Sequence, residues 1–280
     1  MLTEVKAYSS WASAPVLPLS DTGRTETDLI QIRNIDGLDP VKAAVSTAPF
    51  GAIDGVAYTG SNILSRNILM TLHPNPNWDN WTYESLRRLL YSYFMPKRPT
   101  RLAFYSDDIP PVHITGIVED ISGTPFVKDP ELVVSVICPD PYFTAIDPTV
   151  LTGFSDRDAS SPVEIDYNGT IEAGIHVEVS RSEDPAPSNI GIQIGDPSVQ
   201  YFNVAAQVNS ALYFEMNSLP RQKYVQNVDT SSGIVTNLLS KIQEGSSWPV
   251  LEPGVNEFSV ITDAGLQDWE LTYYERFGGL

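Results

Sequence analysis

A single cysteine, Cys138, stands in 280 residues, so no intramolecular disulfide can form. Histidine is nearly as scarce. His73, His113 and His176 lie far apart, and none has a second ligand at helical or hairpin spacing, so no metal site is predicted from them. There is no G-x-S-x-G, no Walker lysine loop and no C-x-x-C. No catalytic, cofactor-binding or metal-ligating residue is therefore assigned, no cofactor is expected, and the chain does not read as an enzyme. No apolar run approaches the roughly 20 residues a membrane-spanning helix needs. The opening MLTEVKAYSS lacks a basic region followed by an apolar stretch, so the reading is a protein without a secretory signal, made and folded in a cytoplasm. Basic residues are also few: 17 against 35 acidic ones, a net charge of −18. Such a surface repels phosphate backbones and anionic lipid, which makes nucleic acid and membranes poor partners for the outside of the molecule. Solubility alone is the plainer reading of that charge.

The chain is 42% hydrophobic and 10% aromatic, enough for substantial cores. Its length favours two domains. The 22 prolines and 18 glycines are spread along it, as suits many short strands joined by turns. One stretch has a helical period. Leu86, Leu89, Leu90, Tyr93 and Phe94 share a face, Asp79, Asn80 and Thr82 offer cap oxygens, and Pro96 ends the run, predicting a helix over about 79–95. So short a helix must bury its apolar stripe on a sheet.

The remainder reads as strand and turn. Residues 1–28 are polar and interrupted by Pro15 and Pro18, and read as an extended arm. Strands are predicted at 29–33, 68–72, 101–106, 112–119 and 132–138, forming a β-sheet or barrel that carries the helix. Pro139, Pro141 and Pro148 then lead into a polar stretch before Pro162, the expected linker. Eight short strands follow, at 163–166, 175–179, 190–194, 201–204, 212–216, 223–228, 257–261 and 271–274, with a short helical turn conceivable within 235–242. That spacing suggests a β-sandwich of jelly-roll type. The fold class is thus mainly β in two domains, an N-terminal one over 1–146 and a C-terminal one over 147–280.

Other constellations are weaker than their ordinary explanations. Asp156, Asp158 and Ser160 alternate as calcium-loop ligands do, but lack the central glycine and terminal glutamate. With 35 acids, carboxylate pairs suited to glycoside hydrolysis arise by chance. Trp248, Trp269, Tyr273 and Tyr274 could form a sugar-stacking platform, although core packing is the commoner fate of such residues. Asn168-Gly169-Thr170 reads as a turn.

Several segments, in their order, resemble the siphophage distal tail protein family. They are Ser65–Met70, the helix Tyr83–Phe94, Met95–Pro99 leading into Leu102–Phe104, Gly116–Glu119, and Ile137–Phe143 at the close of the first half. Trp248–Asn256 and Tyr273–Gly278 add to the likeness. No segment is specific alone, and the first 28 residues and 144–162 contribute little. The resemblance implies a virion protein of a long non-contractile tail, assembled in the host cytoplasm. It implies an N-terminal β domain that forms a hexameric ring and a C-terminal β-sandwich similar to galectins and carbohydrate-binding modules. It further implies that the ring joins the tail tube to the tail-tip hub and leaves a channel through which DNA passes without specific binding. A carbohydrate-binding protein acting through the second half and a polysaccharide-degrading tail enzyme are the alternatives.

Overall fold

The computed structural model describes residues 2–9, 16–20, 29–51, 53–76, 80–123, 130–155, 161–181, 187–195, 199–264 and 266–280. The chain forms two compact units, one of Met1–Ile146 with Phe277–Leu280, the other of Asp147–Arg276. The last four residues thus return to the first unit instead of ending in the second. Phe277 explains why: it is a buried aromatic in the first unit's core.

In the first unit the strands are β1 (Leu2–Tyr8), β2 (Val16–Ser20), β3 (Ile30–Asp36), β4 (Ala43–Pro49), β5 (Val56–Ile63) and β6 (Arg66–Pro74). After helix α1 (Tyr83–Tyr93) come β7 (Pro99–Ser106), β8 (Val112–Gly123), β9 (Leu132–Cys138) and β10 (Phe143–Ala145). The sheet runs β10-β8-β7-β1-β2-β3-β6-β9, and β8 also pairs with β9, so it nearly closes into a barrel. Its weakest seam is β2–β3, joined in parallel only at Ser20 and Gln31.

Within the expected arm, 2–8 and 16–20 are therefore strands of this sheet, and 10–15 and 21–28 lie outside the described residues. Val5 and Ala7 of β1 and Leu17 and Leu19 of β2 point into the barrel core, two inward residues per strand, too few to register as a period in so polar a sequence. Pro18 pairs with Lys6 of β1 and lies outside the single β2–β3 pairing, on the sheet's most weakly joined seam.

Helix α1 is shorter than its sequence signature. Thr82 is the N-cap, accepting from the Ser85 amide at 3.3 Å while the Thr82 amide donates to Ser85 Oγ at 2.9 Å. Of the offered cap residues the fold uses this one; Asp79 lies outside the described residues. Leu90, Tyr93 and Phe94 join the barrel's core cluster, with Leu89 and Tyr91 packed at its margin.

β4 and β5 stand apart as a two-stranded antiparallel hairpin, a sheet of its own that the sequence reading missed. Every residue of β4 is exposed, and β5 is nearly as open.

The second unit has two antiparallel sheets. One is ordered β11 (Thr149–Phe154), β21 (Gln267–Tyr273), β13 (Ala173–Arg181), β16 (Leu212–Asn217), β17 (Tyr224–Asp229) and β18 (Val235–Asn237), with β19 (Val250–Leu251) against β13. The other is β12 (Val163–Tyr167), β20 (Gly254–Thr262), β14 (Ile190–Gly195) and β15 (Gln200–Val204). Their inner faces form one core, in which Ile175, Val177, Phe214 and Leu271 of the first sheet share a cluster with Ile192, Phe202 and Phe258 of the second. All eight expected strands are present. β11 occupies part of the expected linker, and the stretch 235–242 is a short strand followed by a 3₁₀ turn, Leu239–Lys241. The chain ends in β22 (Arg276–Phe277), which brings it back to β10.

Candidate functional site

Three features of the structure bear on function: a knot around Arg66, the bare β4–β5 hairpin, and the outer face of the larger sheet in the second unit.

Arg66 sits on the inward side of β6, in step with Ile68, Met70 and Leu72, and only 2% of it is exposed. Its charge is met by backbone carbonyls. Nε donates to Pro141 at 2.6 Å, Nη1 to Asp39 at 2.8 Å and also to Gly37, and Nη2 to Gly278 at 2.5 Å. The guanidinium carbon lies 4.5 Å from the centroid of the Phe143 ring. Burial pulls the guanidinium below its ordinary pKa. Gly37 can present its carbonyl there because it adopts a φ of 91°, and an added Cβ would sit 2.1 Å from the Asn67 carbonyl oxygen. Three segments that carried the family resemblance, 65–70, 137–143 and 273–278, thus contribute Arg66, Pro141 with Phe143, and Gly278 to one knot. A fourth, Gly116–Glu119, has an equally steric basis. A Cβ on Gly116 would lie 2.5 Å from Val136 Cγ1 and 2.8 Å from Cys138 Sγ, where β8 crosses β9. Cys138 is a small buried hydrophobe, its thiol pushed up to about 12 by burial.

The β4–β5 hairpin carries exposed Val45, Ile53, Val56 and Tyr58, with Ile53 75% and Tyr58 66% accessible. Two strands without a third strand or a core are marginal in water, and both their outer edges present unpaired backbone groups.

On the larger sheet of the second unit, Glu178 of β13 lies directly between Glu270 of β21 and Glu215 of β16. His176, two residues earlier on the same face, brings Nε2 to 2.8 Å from Glu215 Oε1 and 4.0 Å from Glu178 Oε1. Burial opposes the charge on Glu215, but hydrogen bonds from Tyr224, His176 and Gln226 outweigh it and hold the carboxyl below its usual range. Glu178 is displaced upward, by burial first and then by its like-charged neighbours Glu215 and Glu270. Beside this row runs a groove of about 540 Å³ lined by residues including Phe154, Tyr213, Glu178, Asp268 and Glu270.

The three histidines stay on three separate strands. His73 lies 3.1 Å from the Pro130 carbonyl. His113 has its pKa pushed down to about 4 by burial and by Arg101. His176 meets acidic groups, and the sequence reading missed them because Glu215 is 39 residues away; the His-x-Glu alternation on one strand was the available signal. Trp269 and Tyr273 lie in the sandwich core and Trp248 packs 5.0 Å from Phe202, so these rings do not form a shared exposed platform. Asp156, Asp158 and Ser160 fall outside the described residues.

No protein-family model matches the chain, and no curated protein matches it in sequence. Among solved structures, the fold is that of a phage distal tail protein. The Dit protein of phage SPP1 superposes with a TM-score of 0.67 over 98% of this chain and 99% of its own, at 14% identity. A chain of the phage P2 baseplate in its activated, calcium-containing conformation matches over the full length of both chains, with a TM-score of 0.51 and 11% identity.

Proposed function

We propose that this chain is a structural component of a long phage tail tip, in which six copies close into a ring. That ring joins the tail tube to the hub beneath it and leaves a channel for DNA. The observation that carries the reading is the fold likeness to the SPP1 Dit protein, part of a hub adsorption apparatus, which spans both units in order. The hairpin supports the assembly step. Its exposed apolar residues and free edges are what a heterologous interface needs, where one patch of a subunit meets a different patch of the next. On this reading a neighbouring subunit supplies the third layer that the hairpin lacks. The role is architectural, and DNA passes without being gripped, since a chain of net charge −18 repels phosphates. On this reading the first unit, 1–146 together with 277–280, is the ring-forming part, and the sandwich over 147–276 is a second part carried by it.

The test is the double variant Val45→Asp, Tyr58→Lys. Both side chains are exposed, so the folded chain should keep its melting temperature within about 1 °C while losing ring formation in negative-stain images. Rings that form as well as in the wild type would remove the hairpin from the interface.

A further inference from the structure

The outer face of the larger sheet in the second unit breaks a rule of sheet design. Glu270, Glu178 and Glu215 are direct cross-strand neighbours in one row, and like charges placed so are destabilising. Among the described residues, no Lys or Arg occupies the same face of β11, β21, β13, β16 or β17; the row continues into Thr152 on one side and Gln226 on the other. Tyr224 and Gln226 donate hydrogen bonds to Glu215, but among the described residues of this face the imidazole of His176 is the one group that can carry an opposing charge. The ligand atoms of His176, Glu178 and Glu215 lie within 4.8 Å of one another.

We propose that His176, Glu178 and Glu215 form a binding site for a divalent transition-metal cation, with Zn²⁺ as the probe. One imidazole nitrogen and two carboxylate oxygens suit Zn²⁺ better than Mg²⁺ or Ca²⁺, which favour all-oxygen sets. Tetrahedral bonds of about 2.0–2.1 Å place ligand atoms about 3.3 Å apart. The observed separations of 2.8 and 4.0 Å from Nε2 fall on either side of that value, so side-chain rotation alone can admit the ion. The supporting shell is already built. Gln226 Nε2 donates to Glu215 Oε2 at 2.7 Å and Tyr224 donates to Oε1, fixing the carboxylate as outer-shell donors do in metal sites. When the ion enters, the Nε2–H of His176 is given up, so one proton is released or moved to Nδ1 and the lone pair faces the metal. The cation then neutralises the carboxylate row and ties β13 to β16.

Titration calorimetry of the full chain at neutral pH should show one saturable Zn²⁺ site. His176→Ala should abolish it, Glu178→Gln should weaken it about ten-fold or more, and Glu270→Gln, outside the ligand set, should preserve it. Far-UV circular dichroism of each variant checks folding. A measurement on the wild-type protein needs no variant: Zn²⁺ should block carbethoxylation of His176, read by mass spectrometry, while leaving the labelling of His73 and His113 unchanged. Absence of saturable binding, binding that survives His176→Ala in a folded variant, or equal labelling of His176 with and without Zn²⁺ would each overturn the site.

Discussion

Arg66 and Gly278 lie 212 residues apart in the chain and 2.5 Å apart in space, guanidinium nitrogen to carbonyl oxygen. Through that bond the end of the chain is fastened into the first unit after the whole second unit has been built. The same guanidinium holds the turn at Gly37 and the segment at Pro141, so one buried charge fixes three chain segments. Replacing it by Met keeps most of the volume and strands the carbonyls. The cost expected is about 2–5 kcal/mol, seen in thermal unfolding as a fall of about 10 °C. A melting temperature unchanged to within a degree would mean that the knot contributes little.

His113 makes the barrel sensitive to mild acid. Its folded pKa lies near 4, below the ordinary 6.5, so the unfolded chain takes up a proton that the folded chain refuses. Stability therefore falls as pH drops from 6.5 toward 4, and this contribution levels off below that. His113→Gln should flatten that part of the stability–pH curve, measured by urea unfolding at several pH values. An identical slope in the variant would refute the assignment.

Glu178 behaves in the opposite sense. Its carboxyl is raised above the ordinary value, so keeping it ionised in the folded state works against folding at neutral pH. Glu178→Gln should raise the melting temperature at pH 7 in the presence of a chelator. The gain should shrink as pH falls through the raised folded-state pKa toward the ordinary glutamate value, and vanish below it, where folded and unfolded chains both hold the proton. A variant less stable than wild type at pH 7 would show that Glu178 is held by favourable contacts.

Limited proteolysis reports on the hairpin. Phe50 and Ile53 are exposed and belong to neither core cluster, so a protease of broad specificity should cut beside them early. In the assembled tail tip the same bonds should be protected. Equal cutting in both states would argue that the hairpin stays in solvent.

The sequence carried the elements that make cores and little else. Eight strands of the second unit and five of the first were legible because their inward residues alternate, as in Ile68-Leu69-Met70-Thr71-Leu72. β1 and β2 were not, since each buries only two residues of that alternation and β2 contains Pro18. The hairpin was invisible for the opposite reason, because with β4 wholly exposed no period is imposed on it. No local pattern marks Arg66, which precedes the predicted strand 68–72, and only the convergence of Gly37, Pro141 and Gly278 gives it a role. The His176–Glu215 contact likewise depends on the β13–β16 register, which no local pattern encodes.

The most direct test of the central reading is native mass spectrometry with negative-stain microscopy, applied to the purified chain alone and mixed with the tail tube protein of its phage. Six copies in a ring with an open centre are expected, at least in the mixture. A strictly monomeric chain under both conditions would contradict the ring.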